Sequence, residues 1–265
     1  MFAQPGTGKM ALKKRLDELL VAAGLAESKE LAQRLIMAGE VRVAGQVATK
    51  PGHKYLADAA VTVDARPRFV SRGGDKLEGA FEAFPDFDVR GKVCIDVGAS
   101  TGGFTDCLLQ HGAARVIALD VGKGQLHWKM RQDARVHVIE SFNARYMRLS
   151  DLPELPQAAV TDVSFISLKL ILPPITDVLP PGGEIVSLIK PQFEAGRANV
   201  PGGVVRDPTV RAAVVDEIKG FGTGVLKLEW RGCAESPLKG PEGNVEFLAY
   251  WRKAALAGHS KEGGA

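Results

Sequence analysis

Four polar residues stand at places where folded elements begin or end. Lys76 follows the run Ser71-Arg72-Gly73-Gly74-Asp75, and Asp162 closes the apolar run Ala158 to Asp162. Lys190 closes Glu184 to Lys190, and Glu246 opens the last apolar run of the chain. Two ammonium groups and two carboxylates brought to one point could strip a proton from a weakly acidic hydroxyl and stabilise the anion that develops. Taken singly each residue has an ordinary role: a strand-end Asp caps helices, and most lysines are solvated. An amine accepts a proton only if its pKa falls from about 10.4, and burial beside a second ammonium achieves this. Lys190 leaves the strand Ile185-Val186-Ser187-Leu188-Ile189 and is the better desolvated of the two. It takes the role of base or alkoxide stabiliser, with Lys76 as electrostatic partner and Asp162 and Glu246 orienting both.

A second cluster concerns what such a site would act with. Asp96-Val97-Gly98-Ala99-Ser100-Thr101-Gly102-Gly103-Phe104 follows an apolar strand and opens a helix, where an open α/β sheet places its ligand. Gly98, Gly102 and Gly103 allow close backbone approach, with Ser100, Thr101 and Phe104 completing the loop. Asp120 ends the next strand 24 positions after Asp96, suited to a ribose diol. A dinucleotide would need G-x-G-x-x-G with its pyrophosphate on the helix N-terminus, but this loop is D-x-G-x-x-x-G-G, with a carboxylate at its mouth. Asp96 repels a pyrophosphate and suits the cationic amino and sulfonium side of S-adenosylmethionine. Methyl transfer to a hydroxyl then gives the lysines and carboxylates their task, because the alcohol must lose a proton as the sulfonium becomes a neutral thioether.

The elements that must position these groups are legible as strands over Val93 to Asp96, Arg115 to Asp120, Val136 to Ile139, Ala158 to Asp162, Glu184 to Lys190, Val225 to Trp230 and Val245 to Trp251. Intervening helices such as Phe104 to Gln110 and Pro208 to Gly220 predict an α/β, Rossmann-like, doubly wound and mostly parallel sheet over residues 73–253. Residues 66–72, basic and interrupted by Pro67, read as a linker, 1–9 as a flexible leader and 254–265 as a flexible tail. Residues 10–65 read as a small α+β domain. Leu12, Leu16, Leu19, Leu20 and Ala23 recur at helical spacing until Gly24, and Ser28 caps a second helix through Leu31, Leu35 and Ile36 to Gly39. Val41, Val43 and Val47 form a hairpin around Ala44-Gly45, with Val61 and Val63 beyond.

The chain of 265 residues carries a net charge of +3, but the charge is segregated. Met10 to Arg72 hold eleven Lys and Arg against seven Asp and Glu. Lys13, Lys14, Arg15, Lys29, Arg34, Arg42, Lys50 and Lys54 fall mainly between the apolar positions, where they can share a solvent face toward a phosphate backbone. Cys94, Cys107 and Cys233 match neither a metal-binding spacing nor a disulfide framework, so no metal is expected. No apolar run approaches the roughly 20 residues of a membrane span, and no secretory signal opens the chain, so a cytoplasmic protein with no membrane partner is expected. Oligomeric state has no signature in the sequence.

Residues Arg15 to Tyr55, RLDELLVAAGLAESKELAQRLIMAGEVRVAGQVATKPGHKY, resemble the S-four type RNA-binding domain of ribosomal proteins. The order Lys76, Asp162, Lys190, Glu246 resembles the tetrad of FtsJ-like ribose 2′-O-methyltransferases. The strings SRGGDKLEGA, VCIDVGASTGGFTDCLL, GQLHWKMRQDARV, TDVSFISLKLILPP, LIKPQFEAG, GGVVRDP and SPLKGPEGNVEFLAYW bring residues 10–253 close to the TlyA family of rRNA 2′-O-methyltransferases. The resemblance implies those four residues as the catalytic tetrad, and the loop from Asp96 to Phe104 with Asp120 as the S-adenosylmethionine site. It also implies an adenosine contact from Asn143 in ESFNAR, although Ser141-Phe142 departs from the family's polar pair there. The implied substrate is a cytidine of 16S rRNA, 23S rRNA or both, met as free rRNA or in a ribosomal subunit. Two other readings compete: a pore-forming haemolysin, suggested by the family's name but by nothing in the composition, and a catalytically inactive RNA-binding adaptor.

Overall fold

The computed structural model describes residues 12–64, 67–240 and 242–255. The leader 1–9 and all but two residues of the tail lie outside that range. The chain divides between Pro67 and Arg68 into two compact units.

In the first unit β1 (Lys13–Arg15) leads into α1 (Leu16–Ala22) and α2 (Lys29–Met37), followed by β2 (Val41–Val43), β3 (Gln46–Val47), β4 (Lys54–Leu56) and β5 (Val61–Val63). Ser28 caps α2 by accepting a hydrogen bond from the Leu31 amide. Ala44 and Gly45 both take positive φ, 49° and 81°, as a tight hairpin between β2 and β3 demands. The strands order β3-β2-β5, while β1 pairs antiparallel with β4. Leu16, Leu20, Ala32, Leu35, Ile36, Val41 and Val43 form the core. Leu12, expected inside the first helix, is 67% exposed and precedes β1, because Lys13 to Arg15 pair with Lys54 to Leu56 and helix begins only at Leu16.

The second unit runs α3 (Gly73–Ala83), β6 (Val93–Val97), α4 (Gly103–Gln110), β7 (Arg115–Leu119), α5 (Trp128–Gln132), β8 (Val136–Ile139), β9 (Ala158–Thr161), α6 (Leu172–Val178), β10 (Glu184–Ile189), α7 (Pro191–Glu194), α8 (Pro208–Gly224), β11 (Leu228–Glu235) and β12 (Phe247–Lys253). One seven-stranded sheet orders them β11-β12-β10-β9-β6-β7-β8. Pairings from β10 through β8 are parallel, and β12 is antiparallel to both neighbours. Cys94, Val116 and Ala118 join the core under α3 and α4, whereas Ile95, Val97, Ile117 and Leu119 join the core under α6 and α8, as period-two alternation in a doubly covered sheet requires.

Three local expectations shift. Phe69, placed in a linker by its proline neighbour, is buried in the core, and the Val70 amide donates to Asp106. Helix α8 continues past Gly220 to Gly224, and Gly222 lies under Trp251, where a Cβ would stand 2.3 Å from the indole. Val225 therefore belongs to the helix end, Lys227 turns at φ 57°, and β11 starts at Leu228.

Candidate active site

The loop between β6 and α4 turns through Gly98 at φ 87°, Ser100 at 47° and Gly102 at 95°. A Cβ on Gly98 would stand 2.9 Å from the Asp162 carbonyl, so only glycine lets the loop pass across the end of β9. Asp120, leaving β7, accepts from the Ser100 amide at 2.8 Å and the Gly122 amide at 2.6 Å, which ties the two strand-end loops together. Between them opens a cavity of about 410 Å³ lined by Gly98, Ser100, Asp120, Gln125, Phe142, Asn143, Asp162, Ser164 and Phe165 among others. An adjoining cavity of about 320 Å³ shares Gly98, Ser100, Asp162 and Ser164 and adds Thr101, Gly103, Phe104, Lys76 and Lys190. The two form one cleft along the carboxyl ends of the parallel strands.

Asp96 is not at the mouth of that cleft. It is fully buried within β6, lines neither cavity, and accepts a hydrogen bond from Thr105 Oγ1 at 2.7 Å. Burial pushes its carboxyl up to about 7, with the neighbouring Asp162 acting in the same direction. The acids that face the cleft, and that make it hostile to a pyrophosphate, are Asp120 and Asp162. Gly102 likewise lies behind the loop, packed near Leu126 and Met130.

The four separated polar residues do converge. Lys190 Nζ is 2.5 Å from Asp162 Oδ1, Lys76 Nζ is 3.8 Å from Asp162 Oδ2, and Lys76 Nζ donates to Glu246 Oε2 at 2.6 Å. Cation and anion thus alternate along one line, Lys190, Asp162, Lys76, Glu246, fed by β10, β9, α3 and the residue just before β12. Lys76, Lys190 and Glu246 are buried, and Asp162 keeps a fifth of its side chain exposed. Two supports escaped the sequence reading. Ser164 Oγ accepts from Lys190 Nζ at 2.8 Å, and Gln192 Nε2 donates to Glu246 Oε1 at 3.2 Å. Their signal was proximity: Ser164 is two residues past Asp162, and Gln192 two past Lys190.

In the first unit the eight basic residues divide. Lys13, Lys14, Lys29, Arg34, Lys50 and Lys54 are exposed, Lys29 with its ammonium 3.4 Å from Glu18. Arg15 instead grips Asp17 with two hydrogen bonds of 2.9 and 2.7 Å, holding that carboxyl well below its usual range, and Arg42 is 2.8 Å from Asp64. Those two guanidiniums brace the fold.

The parallel sheet, the glycine loop and the Lys-Asp-Lys-Glu line define a domain of the methyltransferase class, and residues 69–253 match the model of the FtsJ-like methyltransferases while 14–61 match the S4 domain. The chain belongs to the TlyA family, which joins these two domains. It is 46% identical to the 16S/23S rRNA (cytidine-2′-O)-methyltransferase TlyA of Mycobacterium tuberculosis, over 92% of this chain and 91% of that one. It is 44% identical to Hemolysin A of Brachyspira hyodysenteriae, over 89% of this chain and 99% of that one. A solved structure from Streptococcus thermophilus that carries a hemolysin name superposes with a TM-score of 0.70 at 44% identity, covering 92% of this chain and 90% of that one.

Proposed function

We propose that the protein is an S-adenosylmethionine-dependent rRNA (cytidine-2′-O)-methyltransferase acting in the cytoplasm, its S4 domain contributing affinity for the rRNA or ribosomal subunit. The observation that carries this reading is the alternating line of two lysines and two carboxylates opening onto the glycine-loop cleft. When bound, S-adenosylmethionine supplies an electrophilic methyl group on a sulfonium. The cleft suits it: Gly98 leaves room where a Cβ would collide, and Asp120 and Asn143 line the larger cavity, where a ribose diol and an adenine would find acceptors and donors. The smaller cavity adds the two lysines beside the shared Asp162.

The residues of the chain then divide the work. Lys190 Nζ faces the smaller cavity between Asp162 Oδ1 and Ser164 Oγ. In the role of base its amine takes the proton of the target 2′-hydroxyl as the new O–C bond forms, and Asp162, 2.5 Å away, stabilises the ammonium that results. Lys76, held by Glu246, keeps a fixed positive charge beside Asp162 and the developing alkoxide. Gln192 orients Glu246 from its other oxygen. Among the described residues no helix is long and apolar enough to cross a membrane.

The test is a map of ribose methylation on rRNA from cells with and without the gene, expected to show a 2′-O-methylcytidine that vanishes with the gene. In vitro, rRNA carrying a 2′-deoxy nucleotide at that position should bind and accept no methyl group. Methylation of the deoxy substrate would move the chemistry to the base and overturn the assignment.

A further inference from the structure

Behind the active site, on the side of α4 turned toward α3, three side chains with donor atoms meet at one point. Cys107 and His111 are four residues apart, one helical turn, and so project from the same face. Glu78 comes from α3 across the helix pair, its Oε2 lying 2.7 Å from His111 Nε2 and 3.7 Å from Cys107 Sγ. All three donor atoms lie within 4.8 Å of one another. We propose that Glu78, Cys107 and His111 form a binding site for a zinc-type divalent cation that clamps α3 to α4.

The geometry is close to what such an ion requires. Tetrahedral bonds of the usual lengths to sulfur, nitrogen and oxygen separate a sulfur from an oxygen ligand by about 3.6 Å, and nitrogen from oxygen by about 3.3 Å. The sulfur–oxygen distance already matches, and admitting the ion asks His111 and Glu78 to part by about half an ångström. Thiolate, imidazole and carboxylate together select zinc or cobalt over magnesium or calcium. Their charges would neutralise a divalent ion, and the proton of the Cys107 thiol would leave to solvent on binding. The surroundings resemble the outer shell of a built site. Arg68 holds the other Glu78 oxygen at 2.8 Å, and the His111 ring lies flat on Phe81 with centroids 3.7 Å apart. Glu78 and His111 are half-buried, which leaves a path for the ion and a place for water as fourth ligand.

The position gives the clamp a consequence. Glu78 is two residues beyond Lys76 on α3, and α4 begins in the glycine loop. The near ends of the two helices already pack glycine against glycine, a Cβ on Gly103 falling 2.7 Å from the Gly74 amide nitrogen. A metal between the middle of α3 and the last turn of α4 would hold the lysine-bearing helix and the loop-bearing helix as one piece.

Metal-free full-length protein titrated with cobalt(II) tests this. One equivalent should bring up a thiolate-to-cobalt band in the near ultraviolet, zinc should displace it, and the thermal midpoint should rise with zinc. His111→Gln, at the half-exposed helix end, and Cys107→Ser should each abolish the band and weaken zinc binding by more than about a hundredfold, the upper range for losing only an outer-shell partner. Cys233→Ser, which alters the exposed cysteine elsewhere, should leave band and affinity unchanged. Absence of a thiolate band in the parent protein, its persistence in His111→Gln, or its loss in Cys233→Ser would each overturn the site.

Discussion

Replacing Lys190 separates chemistry from packing. In Lys190→Ala the ammonium 2.5 Å from Asp162 disappears, and Ser164 loses its donor. Breaking a fully buried ion pair costs about 3–5 kcal/mol. Asp162 retains partial exposure and the ammonium of Lys76 at 3.8 Å, so a cost near 2 kcal/mol is expected, an order-of-magnitude value. For a domain of this size that lowers the thermal midpoint by about 4–8 °C and leaves the protein folded at assay temperature. Loss of a general base slows the chemical step by about 10²–10⁴-fold, far more than so small a change in folded fraction supplies. Single-turnover methylation well below the midpoint should therefore collapse, while calorimetric affinities for rRNA and S-adenosylmethionine stay within a few-fold, as when an interaction confined to the transition state is removed. Lys190→Arg sharpens the outcome. A guanidinium preserves the ion pair, and with it most of the stability, but does not give up its proton. Near-normal turnover in the Arg variant would show that position 190 acts only as a fixed charge and would refute the base assignment.

Two further outcomes test the support around the site. Asp96 has a folded-state carboxyl near 7 against an ordinary value of 3.8, so its charged form is disfavoured in the fold. Wild type should therefore lose stability relative to Asp96→Asn as pH rises from about 4 to about 7, by about 4 kcal/mol in all, with no further change above; a difference in denaturant midpoint that ignores pH would contradict a buried carboxylate. Deleting residues 1–67 should spare S-adenosylmethionine binding but cut rRNA affinity and flatten its salt dependence. Six exposed cations on phosphates correspond to a slope change of up to about four in log K per log salt, and identical slopes for the full and shortened chains would remove the first unit from RNA binding.

Much of this molecule is written in local pattern. Period-two runs and glycine stops announced the parallel strands and the paired helices of the first unit, because each depends on neighbours a few residues away. The loop from Gly98 to Phe104, Asp120 one strand later, and Asp162, Lys190 and Glu246 were legible because strand ends are where an open α/β sheet gathers its ligands, while Lys76, on α3, joined them through the family resemblance. What local pattern does not carry is depth and pairing. Whether Asp96 faces the cleft or lies beneath it depends on the register of β6 between β7 and β9, and the sheet put it beneath. Arg15 and Arg42 look like phosphate contacts until the fold brings Asp17 and Asp64 to them. Cys107 and His111 form no ligand set until α3 lays Glu78 beside them, 29 residues earlier in the chain. Side-chain type and spacing specify which chemistry is possible, but distance between residues remote in sequence is set by the packing of whole elements, and only the tertiary structure decided which charges were left free to use.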